Sequence, residues 1–268
     1  IIKNVTKIYH SAALCDFNVP LPNIRRINVA GTKNLLELAL SCKENGQFKC
    51  FHHISTLAVA GGKKGVFYEK QLYLGQSFNN TYERSKFEAE KIIEKYRKQG
   101  LPIVVYRPAI VIGDAVSGYT SNFKMFYQPL HLLCLELFKD IPADKNTRYS
   151  LCPVDCTAEA IMRISMDKDC LNNETYHIAN PNMVTLGYFI DAASGYFNFQ
   201  QPRLIPKEKF PLKPYVPYFN YKVRFDTFHA QKILKKTNFK WPKVDARFLR
   251  RLLKFCITSG FIRQGKRE

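Results

Sequence analysis

Two runs rich in apolar, β-branched and aromatic residues, "FKCFHHIST" and "LPIVVYRPAIVIG", flank "TYERSKFEAEKIIEKYRKQG", which has a helical period. Upstream, the short run "NVTKIY" leads toward a second helical stretch, "NIRRINVAGTKNLLELALSCK". Strand, helix, strand, helix, strand is the alternation of a parallel sheet whose strands are joined by crossover helices. The helix of "TYERSKFEAEKIIEKYRKQG" ends at Gly100, with lysine and arginine in its last turns. The run after it stops near Arg107 and Pro108, because proline cannot donate to a ladder.

After Gly113 the pattern loosens. Residues 117–140 are rich in aromatics and leucine, and the spacing predicts helical lid or substrate-lobe material. "PVDCTAEAIMRIS" predicts a helix capped near Asp155 or Thr157, and "ETYHIAN" a further strand. "TLGYFIDAASGYF" predicts a helix capped by Thr185, residues 202–218 a proline-rich loop, and "VDARFLRRLLKFCITSGF" a basic helix. The expected fold class is therefore α/β. A Rossmann-like parallel sheet fills residues 1–113, and a smaller, mostly helical lobe for substrate fills 114–268. That lobe is interleaved with a strand returning near 174–179.

Of the 268 residues 46% are apolar, so a sizeable core is available. No apolar run of about eighteen residues occurs, so no membrane span is expected, and "IIKNVTKIYHSAA" is too polar for a secretory signal. The chain does not begin with methionine, and the expectation is a fragment or processed piece. Eight cysteines without a C-x-x-C pair suggest thiols in a reducing, cytoplasmic compartment. The six histidines show no ligand spacing, and His52 and His53 point to opposite faces of a strand, so no metal is expected. A formal charge of +19 suits an anionic partner: a nucleotide cofactor, an acyl-CoA or an acidic carrier protein. General lysine enrichment on solvated faces explains it equally simply. Nothing interleaves the basic residues with aromatics in the manner of a nucleic-acid site.

Tyr82 and Lys86 are four apart on a helix and therefore share a face. A phenol titrates near about 10 in water, and a fixed ammonium nearby favours its anion. Such a pair can pass a proton to a substrate oxygen. Ser55 and Thr56 lie where a parallel strand stops, at the carboxyl edge where open α/β sheets bind ligands. The plainer alternatives are an amphipathic surface helix for the pair and a strand-end hydroxyl satisfying loop backbone.

"HSAA" after a strand, "NVAGTKNLLELA", "ISTLAVAG", "TYERSKFEAEK" and "YRPAIVIGD" together resemble the extended short-chain dehydrogenases/reductases, over roughly residues 4–190. Within them, "STLAVAG", "YERSKFEAE" and "RPAIVIGDAVSGYT" resemble thioester reductase domains. These are the terminal reductases of nonribosomal peptide and polyketide synthases and of carboxylic acid reductases, with fatty acyl-CoA reductases as relatives. The resemblance implies that Thr56 binds the substrate carbonyl, with Ser55 as a possible substitute, and that Tyr82 donates the proton. It implies that Lys86 binds the nicotinamide ribose and tunes the tyrosine, and that Asn28 serves a proton relay or local backbone structure. Ser11, Ala12 and Ala13 match the turn beside the cofactor ribose, and Pro108, Ala109 and Ile110 the segment lining the nicotinamide.

The family's glycine-rich phosphate loop has no counterpart on a first strand here. The cluster at Gly61, Gly62 and Gly65 opens no helix and is rejected as that loop. The expectation is a sheet lacking its N-terminal strands and a stretch inactive without them. The implied activity is reduction of a CoA- or carrier-bound acyl thioester to aldehyde or alcohol. NADPH is the expected reductant and NADH its alternative. The rival readings are a nucleotide-sugar epimerase or dehydratase, a hydroxysteroid-type dehydrogenase, and a cofactor-free redox-sensing or scaffold protein.

Overall fold

The computed structural model describes residues 2–137, 139–167, 173–205 and 216–263. In chain order, β1 (Lys7–His10) is followed by α1 (Leu21–Arg25), a π turn at Arg26–Ala30 and α2 (Gly31–Asn45). Next come β2 (Cys50–Ile54), a 3₁₀ turn at Leu57–Ala60, β3 (Gly65–Phe67), α3 (Thr81–Lys98), β4 (Ile103–Pro108) and β5 (Ile110–Ile112). α4 (Tyr127–Cys134), β6 (Asp140–Pro142), β7 (Arg148–Tyr149), β8 (Leu151–Pro153) and α5 (Val154–Met166) follow. The remainder is β9 (Thr175–Ile178), β10 (Val184–Thr185), α6 (Leu186–Phe197), β11 (Arg203–Ile205), α7 (Val216–Phe219), β12 (Val223–Phe225), α8 (Phe228–Leu234) and α9 (Ala246–Thr258).

Two compact units form. The first takes the residues up to Ala109 with Glu159–Ile178 and Val223–Phe239, and the second takes Ile110–Ala158, Ala179–Lys222 and the residues from Lys240. The boundary expected at 113 falls four residues earlier. β4 ends at Pro108, Ala109 still donates to Ile178 O, and Ile110 donates to Ser150 O in the second unit.

The first unit is built on a four-stranded, all-parallel sheet in the order β1-β2-β4-β9. Every residue of β4 and all but the last of β2 are buried, as expected for strands covered on both faces. Leu36 and Ala39 of α2 and Ile93 of α3 pack with Phe51, Ile103 and Val105 of the strands. β12 pairs in parallel with β3, and Phe67 packs there with Val59, Ala60 and Phe87.

α3 begins where the Asn80 side chain accepts from Glu83 N at 2.9 Å while the Glu83 carboxylate accepts from Asn79 N at 2.7 Å, a reciprocal cap. It stops at Gly100, whose φ of +81° ends the helical path. Its buried stripe includes Tyr82, Lys86, Glu90 and Ile93. Three of those four residues are polar, so the stripe carries chemistry as well as packing.

The second unit is packed around α4, α6 and α9 with six short strands: β5 pairs with β8, β10 with β7 and β11 with β6. Tyr127, Leu130, Phe189, Ala193, Leu249 and Leu252 lie in its core. The helix expected across 117–140 is confined to Tyr127–Cys134. Before it, the Asp114 carboxylate accepts from Val116 N and Ser117 N, and Asn122 accepts from Lys124 N, so these side chains fold the backbone into turns. Thr185 caps α6 as expected, accepting from Tyr188 N at 3.2 Å. Asp155 and Thr157 do not cap α5: Asp155 accepts from Ala115 N, and the Thr157 hydroxyl donates to Pro153 O. Of the expected loop at 202–218, residues 206–215 lie outside the described residues, and Arg203–Ile205 is a strand.

Candidate active site

β2 ends at Ile54, and Ser55 and Thr56 continue in extended conformation, so their side chains leave opposite faces. Ser55 donates to the Glu90 carboxylate, and Thr56 accepts from Ala58 N at 3.2 Å. The Tyr82 phenol, on the first turn of α3, is buried beside the Thr56 hydroxyl and the Cys15 thiol. Thr56 and Tyr82 therefore converge. Ser55 is committed to the other face of the strand, so it is no substitute for Thr56 in the geometry present.

One helical turn on, Lys86 is 1% exposed. Its Nζ donates to Ile54 O at 2.9 Å and stands 3.4 Å from His53 Nε2. Burial pushes the Lys86 ammonium down from 10.5 to about 8, against the opposing pull of Glu90. Burial also holds the Tyr82 phenol well above its usual 10, reinforced by Cys15. The only influence that lowers it is the hydrogen bond from Thr56. The sequence expectation is that Lys86 acidifies the tyrosine; here burial is the larger influence on the phenol. The spacing of four delivers the shared face, but withdrawal from water outweighs the charge that spacing brings.

Asn28 sits in the π turn. Its Oδ1 accepts from Leu14 N at 2.7 Å, and its Nδ2 donates to Leu14 O at 3.0 Å and to Ser85 Oγ at 2.9 Å. The Ser85 hydroxyl donates to Tyr82 O. Asn28 thus ties the segment after β1 to α3. Ser11, Ala12 and Ala13 are exposed just beyond β1 and present nothing larger than a hydroxymethyl group. Pro108 is buried at the end of β4. Ile110 opens β5 in the second unit.

Gly61 and Gly62 serve packing: a Cβ on Gly61 would lie 2.1 Å from Ser77 O, and one on Gly62 2.7 Å from Ser77 Oγ. No helix begins there, in keeping with their rejection as a phosphate cradle.

A second polar group escaped the sequence reading. Arg107, on the strand rich in branched residues, gives Nη2 to Glu90 at 2.7 Å, with the two side chains 2% and 3% exposed. Its Nη1 donates to Gln71 O at 2.8 Å and stands 3.2 Å from His177 Nε2. Glu69, raised by burial, accepts from His177 N, His229 N and Ala230 N. Glu90 at four residues from Lys86 was the one available signal; Cys15 left none. Among the described residues there is no group of three metal-ligating side chains, no disulfide and no helix long and apolar enough to cross a membrane. Cys170 lies outside the described residues.

The NAD-binding family model described as male sterility protein matches residues 1–161. A linear gramicidin synthase chain of Brevibacillus parabrevis is 27% identical over 184 residues, 66% of this chain and 3% of that protein. Aldehyde reductase lnaA of Aspergillus flavus is 28% identical over 184 residues, 65% of this chain and 17% of that protein. The chain thus spans less than a fifth of either relative. The crystal structure of the terminal R domain from the myxalamid PKS-NRPS biosynthetic pathway superposes with a TM-score of 0.80 at 24% identity, over 97% of this chain and 70% of that one. That likeness establishes the fold.

Proposed function

The chain belongs to the male sterility protein family of NAD-binding domains, and from that membership we propose that it is the catalytic part of a reductase of acyl thioesters. One observation carries the reading: the buried Tyr82 phenol lies beside Thr56 at the carboxyl end of β2, and Lys86, one turn further along α3, donates to Ile54 O at the end of the same strand. The names of its relatives, a peptide synthase and an aldehyde reductase, support the same chemistry.

Thr56 and Tyr82 both donate to the thioester oxygen in this reading. A reduced nicotinamide, when bound, supplies hydride to the carbonyl carbon. As charge builds on the oxygen, the two hydrogen bonds strengthen, and stabilisation confined to the transition state is what accelerates a step. Tyr82 gives its proton to that oxygen, forming a hemithioacetal. Collapse breaks the carbon–sulfur bond and releases aldehyde and thiol. A phenol held neutral by burial has that proton at the start. The buried Lys86 lies one helical turn from Tyr82, its ammonium held by Ile54 O. Lys86, Pro108 and the small, exposed Ser11–Ala12–Ala13 turn are the residues that would hold the nicotinamide end, and NADPH is the favoured form. A carrier-bound thioester is the favoured substrate form, its acidic carrier complementary to a chain of formal charge +19.

The test is Tyr82→Phe in the complete gene product, with aldehyde release from an acyl-CoA followed under NADPH. Turnover falls about 10²–10⁴-fold while the fold is unchanged. Near-normal turnover removes Tyr82 from the mechanism, and wild-type turnover of a nucleotide sugar instead of the thioester overturns the reading.

A further inference from the structure

A cleft of about 580 Å³ opens in the first unit and runs along α3, from Arg107 near the carboxyl end of β4 toward the amino end of the parallel sheet. It lies against the last turns of α3 and the residues that lead into β9. Lys91, Lys95 and Lys98 of α3 line it with Lys70 from the segment after β3, and all four are exposed. Among the described residues none of the four is in an ion pair. The cleft also holds two carboxylates: Glu94 pairs with Arg97 at 2.7 Å, and Glu174 lies 3.9 Å from His229 Nδ1.

The floor is fixed. Arg97 donates to Thr175 Oγ1, Ile103 O and Glu174 O as well as to Glu94, so its guanidinium ties α3 to the starts of β4 and β9. At the rim stands Tyr73, 72% exposed. Its ring lies 6.1 Å from that of Phe87, and the Lys91 ammonium stands 5.8 Å from its centroid.

We propose that this cleft binds a nucleoside polyphosphate, its base stacked on Tyr73 and its phosphates among Lys70, Lys91, Lys95 and Lys98. Ammonium groups three and four apart on a helix repel one another, and a polyanion turns that repulsion into binding. The helix dipole accounts for cations at the end of α3. It does not account for Lys70 or Tyr73, which lie off the helix and complete the two chemistries of a nucleotide, charge and a flat ring. A volume near 580 Å³ lies within the usual span of small-molecule sites. From Lys86 to Lys95 is about 13 Å along the helix axis, toward the opposite end of the sheet from Tyr82 and Thr56. The inference stands whether or not the thioester reading holds.

The test is calorimetric titration of the chain at low salt with ATP, inorganic tripolyphosphate and adenosine. Four proteins are compared: wild type, Lys95→Glu/Lys98→Glu, Tyr73→Ala, and Lys3→Glu/Lys64→Glu as a charge-matched control. Lys95→Gln/Lys98→Gln serves as a milder second variant. ATP and tripolyphosphate bind wild type and control and weaken about tenfold or more in the Lys95/Lys98 variants. Tyr73→Ala weakens ATP about tenfold and leaves tripolyphosphate unmoved. ATP binding that survives the Lys95/Lys98 variants, or no binding at about millimolar ATP, overturns the site. Equal binding of ATP and tripolyphosphate in Tyr73→Ala and wild type overturns the nucleoside half of it.

Discussion

Lys86→Met asks whether a buried ammonium weighs on this fold. The side chain is 1% exposed, and its pKa falls from 10.5 to about 8. That drop corresponds to about 3 kcal/mol between the charged and neutral forms. The folded value lies below the unfolded one, so between about pH 8 and pH 10.5 the unfolded chain holds a proton that the folded chain has released. Stability therefore rises with pH through that window, and the whole penalty is present below it. Methionine removes the charge and keeps the length. It also withdraws the donor to Ile54 O, which costs about 1–3 kcal/mol. At about pH 7 the variant is then equal to wild type or more stable by up to about 2 kcal/mol. The sharper reading is the change with pH: the variant-minus-wild-type difference shrinks by about 2 kcal/mol from pH 7 to pH 9.5. Urea unfolding at both pH values measures it. A difference that stays constant refutes the claim that Lys86 is both charged and dry, whatever the variant does to turnover.

Thr56→Val lowers turnover about 10²–10³-fold and loses about 0.5–2 kcal/mol with its cap to Ala58 N, whereas Ser55→Ala keeps turnover and loses about 1–3 kcal/mol of stability; turnover lost in Ser55→Ala and kept in Thr56→Val assigns the carbonyl to Ser55. Glu90→Gln leaves the Arg107 guanidinium buried without its counter-charge and costs about 3–5 kcal/mol. Glu90→Gln/Arg107→Met recovers part of that loss, and a single-variant loss below about 1 kcal/mol in urea unfolding contradicts the pairing.

The parallel sheet was legible because a strand buried on both faces must be apolar along its length, as "PIVVY" is. The start of α3 was legible as the onset of helical period at Thr81, but its cap, Asn80 accepting from Glu83 N, was not; Thr185 is expected to cap α6 and does. The unit boundary was not, because continuity of apolar residues through Pro108, Ala109 and Ile110 hides a change of partner from Ile178 to Ser150. Nor was the buried Arg107–Glu90 pair. An arginine in an apolar run carries no mark of where its counter-charge lies, and Glu90 looks like any polar residue of an amphipathic helix. At the site, spacing put Tyr82 and Lys86 on one helical face, strand position offered Ser55 and Thr56 alike, and the family resemblance chose Thr56. Cys15, the third group at the phenol, is fixed by tertiary packing alone.

The same packing decides where the proton starts. An opposite charge nearby moves a titration by about 1–3 pH units, whereas full burial moves it by up to about 3–5. At Tyr82 burial prevails, and Lys86 is itself too desolvated to act as an ordinary ammonium. A phenol kept neutral in this way is a weaker acid than one in water, and it still holds its proton when a more basic oxygen forms beside it. In the proposed reaction that oxygen is the one created when hydride reaches the carbonyl carbon, and Tyr82 meets it already protonated. Burial thus decides which group holds the proton at the start, while the direction of net reaction is left to the reactants, since a catalyst speeds both senses alike.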